Sequence, residues 1–157
     1  MKTKKPFHIV LVEPEIPPNT GNIGRLCAAT GTHLHLVGKL GFSLDDKQVR
    51  RAGLDYWPEV KLHRWDSLTE LQQEYPDACF WYTSKKATRT FTKADFTPGD
   101  FLVFGKETLG LPEELLKQKG DHALRIPIFS PAVRSLNLAN SAAILLYEAL
   151  RQTGQLD

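Results

Sequence analysis

The sequence predicts an α/β domain organised around a mostly parallel sheet. Short runs rich in β-branched and aromatic residues alternate with longer stretches at helical apolar spacing, the pattern of strands joined by crossover helices. Glycine, proline and asparagine gather where one kind of segment gives way to the next. At 157 residues, 41% apolar and 24% charged, the chain can enclose one core. No linker, internal repeat or low-complexity stretch divides it, so residues 1–157 read as a single domain.

Taken in order, Phe7 to Val12 is a buried strand, stopped by Pro14 and the Pro17-Pro18 pair. Ile23, Leu26, Cys27 and Thr30 recur at helical spacing, which predicts a helix over 22–30 ending at Gly31. Leu34 to Val37 is a strand, and Leu44 to Ala52 a polar helix closed by Gly53. Val60 to Arg64 is a strand. Ser67 to Tyr75 is a helix opened by Asp66 or Ser67, with Glu70 placed to complete a capping box. Cys79 to Thr83 and Phe101 to Phe104 are strands, the second reached through the turn Pro98-Gly99-Asp100. Ala123 to Ile126 is the last strand. Leu138 to Gln152 is the last helix, with Leu138, Ala142, Leu145, Leu146 and Ala149 on one face.

Several function classes fall away at once. Twenty Lys and Arg against eighteen Asp and Glu give +2, which neither demands nor excludes a nucleic-acid partner. No apolar run approaches the ~20 residues that span a bilayer, and the basic N-terminus lacks a signal-peptide core, so the expected location is cytoplasmic, with no membrane partner. Cys27 and Cys79 suggest neither a disulfide nor a zinc site. Of the five histidines, His33 and His35 alternate along one strand and share a sheet face, but two ligands do not make a metal site. Neither the Gly-x-Gly-x-x-Gly dinucleotide fingerprint nor a nucleotide-triphosphate loop occurs.

Three segments carry an excess of glycine and small polar residues, and each follows a strand, where parallel sheets bind ligands. In the first, Asn19, Gly21 and Asn22 precede the predicted helix, either as an anion-receiving helix start or as a capped turn. Arg25 on its first turn is a phosphate fork or a surface arginine. In the second, Phe104 to Pro112, Gly105 and Gly110 admit close approach of backbone to a flat ligand. Glu107 there is a helix-opening charge or a functional carboxylate. In the third, Arg125 to Ser141, the polar residues Ser135, Asn137, Asn140 and Ser141 exceed what one helix cap needs. Asn140 and Ser141 read as buried groups satisfied by another loop. Three basic clusters, Lys2, Lys4 and Lys5, then Lys47, Arg50 and Arg51 ahead of Tyr56 and Trp57, and Lys85, Lys86 and Arg89, suit RNA phosphates and bases or are plain solvated faces.

Together these segments resemble the three motifs of the SPOUT superfamily of RNA methyltransferases, and within it the TrmL/YibK-type group of tRNA wobble-nucleoside 2′-O-methyltransferases. The likeness runs from about Ile9 to Gln152: Pro17 to Arg25, with Asn19 and Arg25 six apart; Phe104 to Pro112; and Ile126-Pro127 with Ser135 to Ser141. Arg50 to Tyr56 is a further stretch particular to the group. The resemblance implies a C-terminal deep trefoil knot, which the rule that chains are unknotted would not suggest. It implies S-adenosyl-L-methionine as methyl donor, yielding S-adenosyl-L-homocysteine, with Tyr82, Gly105, Glu107, Ile126 and Ser135 around it and no metal. It implies Arg25, Asn19 and Asn137 as the catalytic set, acting on the ribose of a cytidine or modified uridine at the wobble position of leucine tRNA. A homodimer without a separate RNA-binding domain is implied, with RNA held by Arg50, Arg51, Lys85, Lys86 and Arg89. Another tRNA or ribosomal RNA position, or a knotted RNA binder without catalysis, are the alternatives. Gly24 departs from the pattern, since a larger apolar residue would strengthen the helix by up to ~1 kcal/mol. The loop over 129–134 is one residue longer than the pattern.

Overall fold

The computed structural model describes residues 4–53 and 56–157. Seven strands form one sheet in which every neighbouring pair is parallel, in the order β3-β2-β1-β6-β4-β7-β5. The strands are β1 His8–Val12, β2 His33–Val37, β3 Lys61–Trp65, β4 Phe80–Thr83, β5 Arg89–Thr90, β6 Phe101–Phe104 and β7 Ala123–Arg125. The helices are α1 Pro17–Thr30, α2 Lys47–Gly53, α3 Leu68–Glu74, α4 Glu113–Gln118 and α5 Leu138–Gln152. The chain starts mid-sheet, builds outward through β2 and β3, then crosses to β4 and returns to insert β6 between β1 and β4. The loops after β1 and β6 therefore meet where the direction of winding reverses, the crevice in which such sheets bind ligands.

Alternation along the strands divides the core in two. Ile9, Leu11, Leu34, Leu36, Leu102 and Phe104 pack with Ile23 and Cys27 of α1 and with Ala142, Leu145, Leu146 and Ala149 of α5. Val10, Val37, Tyr82, Phe101 and Val103 face the other way, with Leu71 of α3 and Leu111. Cys27 is buried in the first of these clusters, and burial holds its thiol far above the ordinary range.

Local differences from the predicted elements have physical causes. Helix α1 begins at Pro17, five residues before the periodicity starts, because the proline pair fills the first two helical positions, where a missing N–H costs nothing. Asn19, Gly21 and Asn22 consequently lie inside the helix, and its first two residues have no N–H to offer an anion. Helix α2 begins at Lys47, after Asp46 Oδ1 accepts the Gln48 N–H at 2.7 Å. Ser67 rather than Asp66 caps α3, its Oγ accepting from Glu70 N at 3.1 Å. The two-residue β5 was not expected, and it pairs only with β7. Gly24 has a packing reason: a Cβ there would stand 2.5 Å from Cζ3 of Trp57. Gly21 packs about as closely, since a Cβ there would stand 2.6 Å from the Val49 carbonyl oxygen of α2.

Four histidines line one sheet face where β1, β2 and β3 run side by side. His33 and His35 share it as expected, joined by His8 and His63 in adjacent register. The Trp65 indole N–H, a donor only, bonds His35 Nδ1 at 2.9 Å, so the His35 proton sits on Nε2 and points at His8 Nδ1, 2.9 Å away. His33 Nδ1 and His63 Nε2 lie 2.9 Å apart. This arrangement requires neutral His35 and His8 rings. Burial lowers the His8 pKa to about 4 and the His35 pKa further. Among the described residues no group of His, Cys, Asp or Glu is placed to hold a metal.

Candidate active site

Glu107 joins the loops. Its Oε1 accepts the Glu15 N–H at 2.8 Å, and its Oε2 accepts the Ile16 N–H at 2.8 Å and Asn19 Nδ2 at 3.2 Å. A carboxylate only accepts, so Asn19 must turn its amide nitrogen toward Glu107 and its oxygen outward. That oxygen receives Asn137 Nδ2 at 3.0 Å. Asn137 is then left with its own oxygen for the start of α5, where it accepts from Ala139 N at 2.8 Å and Asn140 N at 3.2 Å. One polarity runs through the whole series, and either amide reversed would set donor against donor. Asn19, only 5% exposed, is the pivot between the second loop and the third.

The first two loops are clasped in both directions. Glu15 Oε1 accepts from the Thr108 backbone at 3.0 Å and hydroxyl at 2.7 Å, and these bonds hold the Glu15 carboxyl below its ordinary pKa. Beside them Lys106 Nζ pairs with Glu13 Oε1 at 3.5 Å, and Glu13 takes a φ of +50°, rare for a side-chain-bearing residue. Gly105 is needed because the second loop folds back on itself. A Cβ there would lie 2.1 Å from the Gly110 carbonyl carbon, and Lys106 and Gly110 form an antiparallel bridge.

The structure brings Asn19, Glu107 and Asn137 together. Gly105 and Ile126 stand at the carboxyl ends of β6 and β7, and Ser135 is exposed two residues before Asn137. Tyr82, in β4, turns its ring into the core, where its hydroxyl accepts from Gln72 Nε2 at 2.7 Å and burial raises its pKa. Its phenol is thus turned away from the loops that Asn19 joins. Arg25 stands apart from the asparagine network, on the exposed side of α1, with its guanidinium 4.9 Å from the centre of the Tyr56 ring. Asn140 is exposed and Ser141 half-buried, so neither is the buried polar group expected there; the side chain of this segment that bonds another loop is that of Asn137, itself exposed.

The basic residues divide by environment. Arg51 and Lys85 are exposed, Arg50 pairs with Asp45 at 3.0 Å, and Lys86 pairs with Glu113 at 2.7 Å. Arg89 lies over the Trp81 ring at 5.3 Å and donates to the Asp121 and Lys93 carbonyls at 3.1 and 2.8 Å, clipping two turns together. Sequence reasoning passed over Glu13, Glu15 and Thr108. The signal was present, because all three sit in the glycine- and proline-rich segments already marked, but their partners are more than ninety residues away.

The fold is shared with SpoU methyltransferases of solved structure. The chain belongs to the SpoU rRNA Methylase family, whose pattern matches residues 6–147. A chain from Geobacillus stearothermophilus is 55% identical over 149 residues, 93% of this chain and 94% of its own length. A tRNA (cytidine(34)-2′-O)-methyltransferase from Saccharophagus degradans is 52% identical over 152 residues, 94% of this chain and 96% of that protein. A solved structure described as giving insights into the 2-OH methylation of C/U34 on tRNA superposes with a TM-score of 0.89 at 44% identity, covering 94% of this chain and 96% of its own. The SpoU methyltransferase AviRb from Streptomyces viridochromogenes, solved with AdoMet, gives 0.84 at 26% identity over 96% of this chain and 62% of its own.

Proposed function

We propose that this protein transfers a methyl group from S-adenosyl-L-methionine to the ribose 2′-hydroxyl of the wobble nucleotide, position 34, of tRNA. The observation that carries the reading is the Glu107–Asn19–Asn137 series, which ties three loops together at the carboxyl end of a SpoU-family sheet. Cytidine or a modified uridine in leucine tRNA is the proposed target, and the cytoplasm the proposed setting.

The residues present suit the methyl donor. Ile126 and Ile128 are half-buried, yet their backbone groups make no hydrogen bond with the described residues, which leaves them for an adenine edge. Tyr82 and Gly105 would contribute backbone and Ser135 its hydroxyl, while Glu107 serves the pocket by holding its loops. The bound donor supplies a methyl on a positive sulfur, and the protein supplies alignment and charge. Arg25 carries a guanidinium that does not give up its proton in proteins. Its role is to fix an RNA phosphate and stabilise the alkoxide forming at the 2′-oxygen, with a phosphate oxygen or water taking the proton. Asn19 and Asn137 orient the third loop against the ribose.

The reading includes the C-terminal knot, with α5 threaded through the segment before it, and a homodimer. Ile144 and Tyr147, exposed on the outward side of α5, support the dimer and suit a second copy better than solvent. Arg50, Arg51, Lys85, Lys86 and Arg89 would meet phosphates. Incubation with S-adenosylmethionine and tRNA lacking the modification, followed by digestion and nucleoside mass measurement, tests the reaction. A ribose-methylated cytidine or uridine, absent with Arg25→Ala, is expected. Arg25→Lys retaining most of the turnover at saturating tRNA would refute the role given to the planar guanidinium.

A further inference from the structure

We propose that Phe129 is the platform on which a nucleobase of the RNA substrate stacks. The inference rests on the methyltransferase reading and deepens it by assigning the residue that seats the base. Phe129 is 95% exposed, more than any other large apolar side chain among the described residues. A ring held in water forgoes the burial that usually stabilises it.

The ring is nevertheless presented by an ordered segment. Pro127 and Pro131 flank it and fix two backbone angles. Just beyond, Ser130 closes a turn, its Oγ accepting the Ala132 N–H at 3.2 Å and its carbonyl the Val133 N–H at 3.3 Å. The far end of the loop is held at Asn137, through Asn19 to Glu107. The conformational cost of exposing the ring is thus met before any partner arrives.

Charge decides the partner. Between Asp121 and Glu148 the chain has no acidic side chain, and the loop carries Arg125 and Arg134, both exposed, on either side of Phe129. An aromatic face flanked by guanidinium groups, with no carboxylate near in sequence, suits an unpaired nucleotide: the ring takes the base and the arginines take phosphates. The loop also contains Ile126 and Ser135, proposed to hold the methyl donor, so a base stacked here brings a ribose to the donor's loop.

The test uses the whole protein with Phe129→Ala and Phe129→Trp. For methyl transfer, Phe129→Ala should raise KM for tRNA about tenfold. Its kcat and its calorimetric affinity for S-adenosylmethionine should stay within about twofold of the parent. Phe129→Trp should restore KM, and the added indole emission should be quenched by tRNA. An unchanged KM in Phe129→Ala overturns the proposal. So does weakened donor binding with KM intact, which would make the ring a cover for the cofactor. A shift in sedimentation toward monomer would assign it to a contact between copies and likewise overturn it. Fluorescence anisotropy with an anticodon stem-loop oligonucleotide separates this inference from the reaction itself. If the parent methylates no tRNA but Phe129→Ala loses oligonucleotide affinity, stacking stands and the reaction falls. If the parent methylates tRNA and both proteins bind the oligonucleotide alike, the reverse holds.

Discussion

Replacing Glu107 by glutamine keeps the shape of the side chain and removes one acceptor and the charge. Three donors converge on the carboxylate: two backbone N–H groups at the start of α1 and Asn19 Nδ2. Glutamine has one oxygen. Placed at Oε2 it keeps Ile16 and Asn19 and turns an NH2 against the Glu15 N–H; placed at Oε1 it keeps Glu15 alone. The first arrangement is cheaper and forfeits one charge-assisted bond, about 2 kcal/mol. A negative charge is also withdrawn from the positive end of a fourteen-residue helix, roughly 0.5 kcal/mol at a partly exposed site. For a chain of this length, Glu107→Gln should lower Tm by about 5–8 °C. Glu107→Ala, which loses all three bonds, should lower it further. Thermal unfolding followed by circular dichroism reads the shift. In a cycle of Glu107→Ala with Asn19→Ala the two effects should be non-additive by roughly 1 kcal/mol, because the residues share a bond that alanine at 107 removes. If Glu107→Gln melted with the parent, the carboxylate would not be what holds the loops. If Tm were unchanged while affinity for S-adenosylmethionine collapsed, Glu107 would face the donor directly, and the structural role argued above would be wrong.

Gly21→Ala should destabilise by about 2 kcal/mol in denaturant titrations despite better helix propensity, because its Cβ would meet the Val49 carbonyl oxygen at 2.6 Å. Gly24→Ala should cost less, since the Trp57 ring edge it meets can slide. Acid should weaken the fold through the histidine face. His8 takes up a proton near 6.5 when unfolded but only near 4 when folded, so its contribution is whole above the first value and is lost as pH falls toward the second. Urea titrations at about pH 7 and about pH 5 should differ by roughly 1–2 kcal/mol after allowing for the partly open ring edge, and His8→Gln should shrink the gap. RNA affinity should fall with salt. Lys85→Ala should reduce the log–log slope by about one with Tm unchanged, whereas Arg89→Ala should lower Tm as well, because Arg89 clips two turns.

The central strands were legible because β1, β4 and β6 are short apolar runs between breakers, a signal that depends on near neighbours alone. Pro17-Pro18 misled because a proline pair that ends a strand and one that opens a helix look the same without the third dimension. The two residues of β5 have no periodicity to detect. Asn19, Glu107 and Asn137, named from motifs, are bonded to one another, but those partnerships did not show in the sequence. Glu107 meets Glu15 across 92 positions, and Asn137 meets Asn19 across 118. No local spacing encodes such pairs. The histidine face needed the register of β1, β2 and β3, which places His8 beside His33 and His35 beside His63.

The series through Asn19 also orders the events of folding. Its first bonds need only the chain as far as Glu107, whereas its last needs Asn137, so closure of each longer loop precedes its reward. As the chain grows from the ribosome, the first two loops can clasp while the third has not yet been made. Asn19 then waits with its oxygen unpaired until α5 arrives. Only a chain that has docked its final helix has all three loops tied together, and on the proposed reading that last step is the one by which a nascent chain becomes an enzyme.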